Sequence, residues 1–303
     1  MKRKLRIIIK HLKIICWTAL PAIGIIASFY WLMGFACPAY RNVTLADSII
    51  NQGNTLSVQI EGLRPNASLT CWYKGQEIPL YDNGSRVKKG LIAIPVLEKK
   101  GRQKISFSYK NFWQELRRDS KEFMVEEKEF KKEHIRFSES KRKLYKNPNI
   151  SSDRQKLGEI YRYETPLRKW TGKFIWPVEK RVTSPFGTHR IYDHSKTVAG
   201  YHQGVDISAP TGTKIYAANG GVVCMAEKLV LSGYTIAIDH GQGVVSYYKH
   251  LSKLDVSEGL KVAPGDLIGR AGSGGLSTGP HLHWEIRVHS VPVNPLEWLE
   301  KEF

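Results

Sequence analysis

The apolar positions of this 303-residue chain fall into four regimes. The first is an uncharged run of 24 residues, from Ile14 to Cys37, preceded by Lys2, Arg3, Lys4, Arg6, Lys10 and Lys13. As a helix this run would extend about 36 Å, enough to cross a hydrocarbon core of about 30 Å. A cleaved signal peptide has a shorter apolar stretch of about 7–15 residues, so residues 14–37 are expected to be an uncleaved transmembrane anchor. The basic segment 1–13 then stays in the cytoplasm, and everything after Cys37 is exported.

From about 43 to 138 short β-rich runs alternate with turn signals: Leu56–Ile60, Ser68–Tyr73, Leu91–Val96 and Lys104–Tyr109, some separated by Asn83-Gly84 and Lys99-Lys-Gly101. Period-2 alternation with such punctuation predicts a small β-sandwich. Residues 139–172 read as a basic connector. Ser151 or Ser152 is placed to cap a helix running to about Lys169, with Leu157, Ile160, Tyr161 and Leu167 as its apolar stripe. Residues 173–303 change to glycine-punctuated strands without helical periodicity, which predicts an antiparallel β domain. The expected fold is therefore mainly β: anchor, small sandwich, short helical connector and C-terminal β domain.

Charge separates the two halves. The net charge is +18, but residues 173–303 carry 13 Lys and Arg against 12 Asp and Glu, leaving 33 against 16 before them. A basic front half suits an anionic polymer or a membrane face, and export argues against nucleic acid. The four cysteines at 16, 37, 71 and 224 have no metal-like spacing; Cys71 and Cys224 sit in strand-like runs as small buried hydrophobes.

The chemistry concentrates in the last unit. In His202-Gln-Gly-Val-Asp206, an extended backbone puts His202 and Asp206 on one side. In His281-Leu-His-Trp-Glu-Ile286, alternation puts His281, His283 and Glu285 on one face and Leu282, Trp284 and Ile286 on the other. His250 ends the β-rich run Tyr247-Tyr-Lys-His. Two or three imidazoles with one carboxylate suit a catalytic zinc site, in which three protein ligands leave a fourth position for water. His134 has no partner at ligand spacing. His189 and His194 are assigned to a groove rim, and His240 and His289, in turn-like contexts, are given no ligand role.

These motifs, in this order, resemble the lysostaphin/LytM family of zinc endopeptidases: His202-x-x-x-Asp206, Tyr248-Lys-His250-Leu-Ser252 and His281-Leu-His283. The likeness extends to Thr183-Ser-Pro-Phe-Gly187, Thr211–Ala217, Asp239-His-Gly241 and Ser277–Glu285, and covers about residues 174–298. It implies that His202, Asp206 and His283 bind one Zn2+ and leaves His281 and His250 unligated in the groove; one imidazole there suits a general base and the other an oxyanion stabiliser, His281 and His250 in that order, exchanged or shared. Glu285, on the histidine face, is placed to orient a ligand.

The function implied is hydrolysis of peptidoglycan cross-links or stem peptides, at the outer face of the cell membrane, by a metal-activated water. The alternative is a non-catalytic LytM-like protein that binds wall or activates another hydrolase. Such members lack ligands, and this chain lacks none.

Overall fold

The computed structural model describes residues 40, 42–63, 68–84, 86–110, 115–179, 181–192 and 200–303. The expected anchor at 14–37 and the basic segment before it lie outside these. Among the described residues no helix is long and apolar enough to cross a membrane.

Among the described residues, the front unit is a two-sheet sandwich of nine strands. They are β1 (Asn42–Leu45), β2 (Ile49–Asn51), β3 (Thr55–Glu61), β4 (Ser68–Tyr73), β5 (Gln76–Ile78), β6 (Tyr81–Asp82), β7 (Val87–Ala93), β8 (Gly101–Lys110) and β9 (Glu115–Glu126). One sheet runs β1-β3-β7-β6 and the other β2-β9-β8-β4-β5. Alternation decides which residues meet between them: Leu56, Val58 and Ile60 of β3 face Cys71 and Tyr73 of β4, Ile105 and Phe107 of β8, and Phe123 of β9.

The chain then departs from a plain connector. Strand β10 (Lys132–Ile135) leaves the sandwich and pairs in parallel with β12 (His189–Tyr192) of the C-terminal unit. Helix α1 (Glu139–Lys143) follows, with Ser138 as its N-cap. Helix α2 (Ile150–Tyr161) ends well before Lys169, and its N-cap is Asn149 rather than Ser151 or Ser152. Pro166 keeps the helix from continuing to Lys169, because a proline disfavours helical backbone in the residue before it. The chain instead runs along the C-terminal unit, where the backbone N–H of Lys169 donates to His240 O at 2.7 Å. Leu167 is consequently left exposed, while Leu157, Ile160 and Tyr161 pack on Met225, Leu229, Val245 and Tyr247.

The C-terminal unit comprises β11 (Val182–Ser184), β12, β13 (Gly200–Tyr201), β14 (Val205–Ser208), β15 (Lys214–Tyr216), β16 (Gly221–Leu229), β17 (Gly233–Gly241) and β18 (Val244–Leu254). β19 (Lys261–Val262), β20 (Leu267–Ala271), β21 (His281–Val288), β22 (Val291–Val293) and α3 (Pro295–Glu300) complete it. Its main sheet runs β11-β14-β21-β18-β17-β16-β19 and is antiparallel throughout. Along β21, Leu282, Trp284, Ile286 and Val288 are fully buried in the core beneath the sheet, which turns His281, His283, Glu285 and Arg287 to the other face.

The two units share a packed seam. Leu91 and Val96 from the sandwich join the C-terminal core. The Asn294 N–H donates to Gly53 O at 2.7 Å, and the Thr55 N–H donates to Glu297 Oε2 at 2.8 Å.

Candidate metal centre

Register brings the three sequence motifs together. Asp206 of β14 lies opposite His283 of β21, Ser208 opposite His281, and Lys249 of β18 opposite His283 on the far side. His202, just before β14, folds back over this pair. Gly204 makes that approach possible, since a Cβ there would stand 2.3 Å from Trp284 O.

His202 Nε2, Asp206 Oδ1 and His283 Nδ1 form a triangle with sides of 2.9, 2.8 and 2.9 Å. All three residues are buried. His281 Nε2 lies 3.6 Å from the same Asp206 oxygen, and the rings of His250 and His281 stand 4.9 Å apart in the groove beyond. Each imidazole has its distal nitrogen tied to an acceptor. His202 Nδ1 is 3.1 Å from Pro185 O, His281 Nδ1 2.8 Å from Gly279 O, and His250 Nδ1 2.8 Å from Gly274 O. His283 Nε2 is 3.5 Å from Glu285 Oε2. A carbonyl or carboxylate oxygen can only accept, so these nitrogens carry the protons and the opposite nitrogens present lone pairs.

Electrostatics then defines the site. Burial pushes His202 down to about 4, so its ring is neutral. Two imidazole lone pairs and a carboxylate thus aim at one another across less than 3 Å. They repel unless a cation sits among them, and one carboxylate with two imidazoles is a donor set suited to zinc. His250 is held well below its ordinary value by burial and by His281, so it too is neutral.

The groove is a cavity of about 250 Å3 into which Asp206, His250 and His281 open. It also contains residues to which the sequence assigned no role, Glu133, Ser184 and Arg190. Arg190 donates from Nη2 to Asp206 Oδ2 at 2.9 Å, occupying the carboxylate oxygen that faces away from the triangle. Ser184 Oγ donates to Glu133 Oε2 at 3.0 Å and lies 3.3 Å from His202 Nδ1. Behind His283, Glu285 is ion-paired to both Lys249 and Arg287. His189, expected at the groove rim, forms part of β12, half-buried, and stacks on Phe130; His194 falls outside the described residues. His240 is wholly buried, with Nδ1 2.7 Å from Gly220 O and Nε2 2.8 Å from Ser246 Oγ, away from the triangle.

This β domain with a two-histidine, one-carboxylate centre has the architecture of a metallopeptidase. Residues 200–295 match the model of peptidase family M23. Peptidoglycan DD-endopeptidase ShyA of Vibrio cholerae is 40% identical over 124 residues, which is 40% of this chain and 29% of that protein. DD-carboxypeptidase/endopeptidase Mpg of Neisseria meningitidis serogroup B is 41% identical over 119 residues, 39% of this chain and 27% of that protein. The chain therefore spans less than a third of these curated relatives. A solved Pseudomonas aeruginosa structure assigned to peptidase M23 superposes with a TM-score of 0.57 at 26% identity, over 76% of this chain and 87% of its own.

Proposed function

We propose that this chain is a zinc metallopeptidase that hydrolyses peptide bonds of peptidoglycan, in cross-links or stem peptides, from an anchor at residues 14–37 that leaves the catalytic domain on the exported side. The observation that carries the hydrolase reading is the convergence of three buried lone pairs at 2.8–2.9 Å beside two further imidazoles, of His250 and His281, that line an open groove. His202, Asp206 and His283 would hold the metal. Bound zinc supplies Lewis acidity and makes water nucleophilic near neutral pH.

The remaining steps belong to the side chains. His281, with Nδ1 committed to Gly279 O, presents Nε2 as a base that takes a proton from the attacking water and passes it to the leaving amine. His250, committed in the same way to Gly274 O, also begins as an acceptor. It can donate to the oxyanion only while its Nε2 holds the proton taken from the water, so the two rings share that one proton before it passes to the leaving amine. Relatives named for peptidoglycan endopeptidase activity support the substrate assignment. The excess of positive charge ahead of residue 173 suits an anionic wall polymer.

The test uses the purified exported part, measuring bound zinc and the products released from peptidoglycan by mass spectrometry. One zinc per chain and released peptides are expected. His281→Ala should keep zinc and lose product, and His283→Ala should lose both. An intact zinc site with no product from any wall type would favour the non-catalytic, wall-binding reading instead.

A further inference from the structure

We propose that residues 132–141 are a working part of the groove, and that Lys141 is a positioning residue that holds His250 in its catalytic orientation. The inference rests on the hydrolase reading above.

The loop after β20 reads Gly272-Ser-Gly-Gly-Leu276 and offers almost no side chains with which to anchor itself. Its glycines are required by close backbone approach: a Cβ on Gly275, where φ is +65°, would stand 2.3 Å from Leu231 O. A run of glycines also loses more conformational freedom on ordering than any other composition, so something outside it must fix its peptide planes. The Lys141 ammonium does this from α1. It donates to Ser273 O at 2.8 Å and to Gly275 O at 2.6 Å, the carbonyls on either side of Gly274. Hydrogen bonds from a cation are roughly twice as strong as neutral ones.

What is fixed is the acceptor of His250. The Gly274 carbonyl lies 2.8 Å from His250 Nδ1, and this bond places the ring proton and aims Nε2 into the groove. His250 needs the help, because its backbone sits at φ +63°, a left-handed conformation costly for a residue with a Cβ. Its backbone N–H donates to Ser232 O at 2.8 Å.

The same segment builds the opposite wall. Glu133, Ile135 and Phe137 line the groove; Glu133 accepts from Ser184 beside His202, and Phe137 stacks on Tyr192 with ring centroids 6.0 Å apart. Between β10 and α1 the chain therefore ties the wall behind His202 to the wall that orients His250. None of the three metal-holding side chains touches Lys141, so the clamp and the metal are separable.

The test uses the full exported chain carrying Lys141→Met, which keeps the aliphatic stem and removes the ammonium, and Lys141→Arg. Zinc per chain should stay unchanged in both. For Lys141→Met, kcat should fall about tenfold or more with KM within about twofold, the scale of a lost charge-assisted bond. Lys141→Arg should recover most of the rate. Nitrogen NMR of the zinc-loaded protein should show His250 as a single Nδ1–H tautomer in the wild type and a mixture in Lys141→Met. An unchanged kcat with an unchanged tautomer in Lys141→Met overturns the proposal, as does loss of zinc from that variant. A wild type that releases no peptide would sink the hydrolase reading, and the tautomer measurement would still decide whether the clamp exists.

Discussion

Glu285 stands wholly buried between two cations and one metal-site imidazole. Burial works to raise its carboxyl, but Arg287 and Lys249 outweigh that and hold it well below the ordinary range. It is therefore an anion, and its Oε2, 3.5 Å from His283 Nε2, keeps the ring proton on that side and the Nδ1 lone pair on the triangle. Arg287 extends the arrangement by stacking on Tyr161 at 3.6 Å and donating to Gln203 at 2.7 Å. Glu285→Gln keeps the shape but leaves two buried cations facing an amide. Zinc should then bind about 10–100-fold more weakly in chelator competition, the usual effect of losing a group that orients a metal ligand. The metal-free variant should also lose about 3–5 kcal/mol in urea unfolding, because buried charges lose their counter-charge. Wild-type zinc affinity in this variant would show that Glu285 has no hold on His283.

At the scale of elements, α3 ties the sandwich to the C-terminal unit through an unusual carboxyl. Glu297 is raised to about 7 by burial, against smaller lowering effects of the Thr55 N–H and Lys301. Because its folded value lies above its ordinary one, the fold binds a proton more tightly than the unfolded chain does. That contribution is fully present below about pH 4.5 and is lost as pH rises through about 7. Glu297→Gln keeps an acceptor for Thr55 and stays uncharged. It should match the wild type near pH 4.5 and exceed it by about 2–3 kcal/mol at pH 8, read from denaturant unfolding at the two pH values. Equal stability at pH 8 would mean that the carboxylate is accommodated without cost.

The elements also differ in how far the sequence foretold them. β21 was legible because a strand has a period of two, so alternation alone separates His281, His283 and Glu285 from the core residues between them. The convergence of His202 with Asp206 was expected from an extended backbone but comes from a bend at residues 203–204, which folds His202 back over β14. α2 was legible as a helix, and Pro166 inside its expected span already argued against a run to Lys169; the partners that hold the chain around Pro166, His240 for Lys169 and Gln242 for Thr165, were not legible because they lie far away in sequence. β10 was invisible: Lys132–Ile135 has no apolar alternation of its own and becomes a strand only by pairing with β12. For the same reason Lys249, Arg287 and Arg190 could not be matched to their carboxylates, since those pairings are set by register between strands.

At the scale of the whole molecule, the seam between sandwich and C-terminal unit has the character of a core. The Phe186 ring presses on Gly53 so closely that a Cβ there would stand 2.6 Å from Phe186 Cε1, and Leu91 and Val96 are buried among C-terminal side chains. The Thr55–Glu297 and Asn294–Gly53 bonds cross the same seam. Two units joined in this way lose buried surface and backbone partners together, so neither should unfold while the other stays intact. Residues 40–303 should show one calorimetric transition, with equal calorimetric and van't Hoff enthalpies. Phe186→Ala, which removes a buried ring at the cost of about 3–5 kcal/mol, should lower that single transition by on the order of 10 °C. Two resolved transitions in the wild type would instead make the seam a contact between independent domains. The strap from β10 to α1 would then join units free to separate, and the orientation of His250 would depend on their docking.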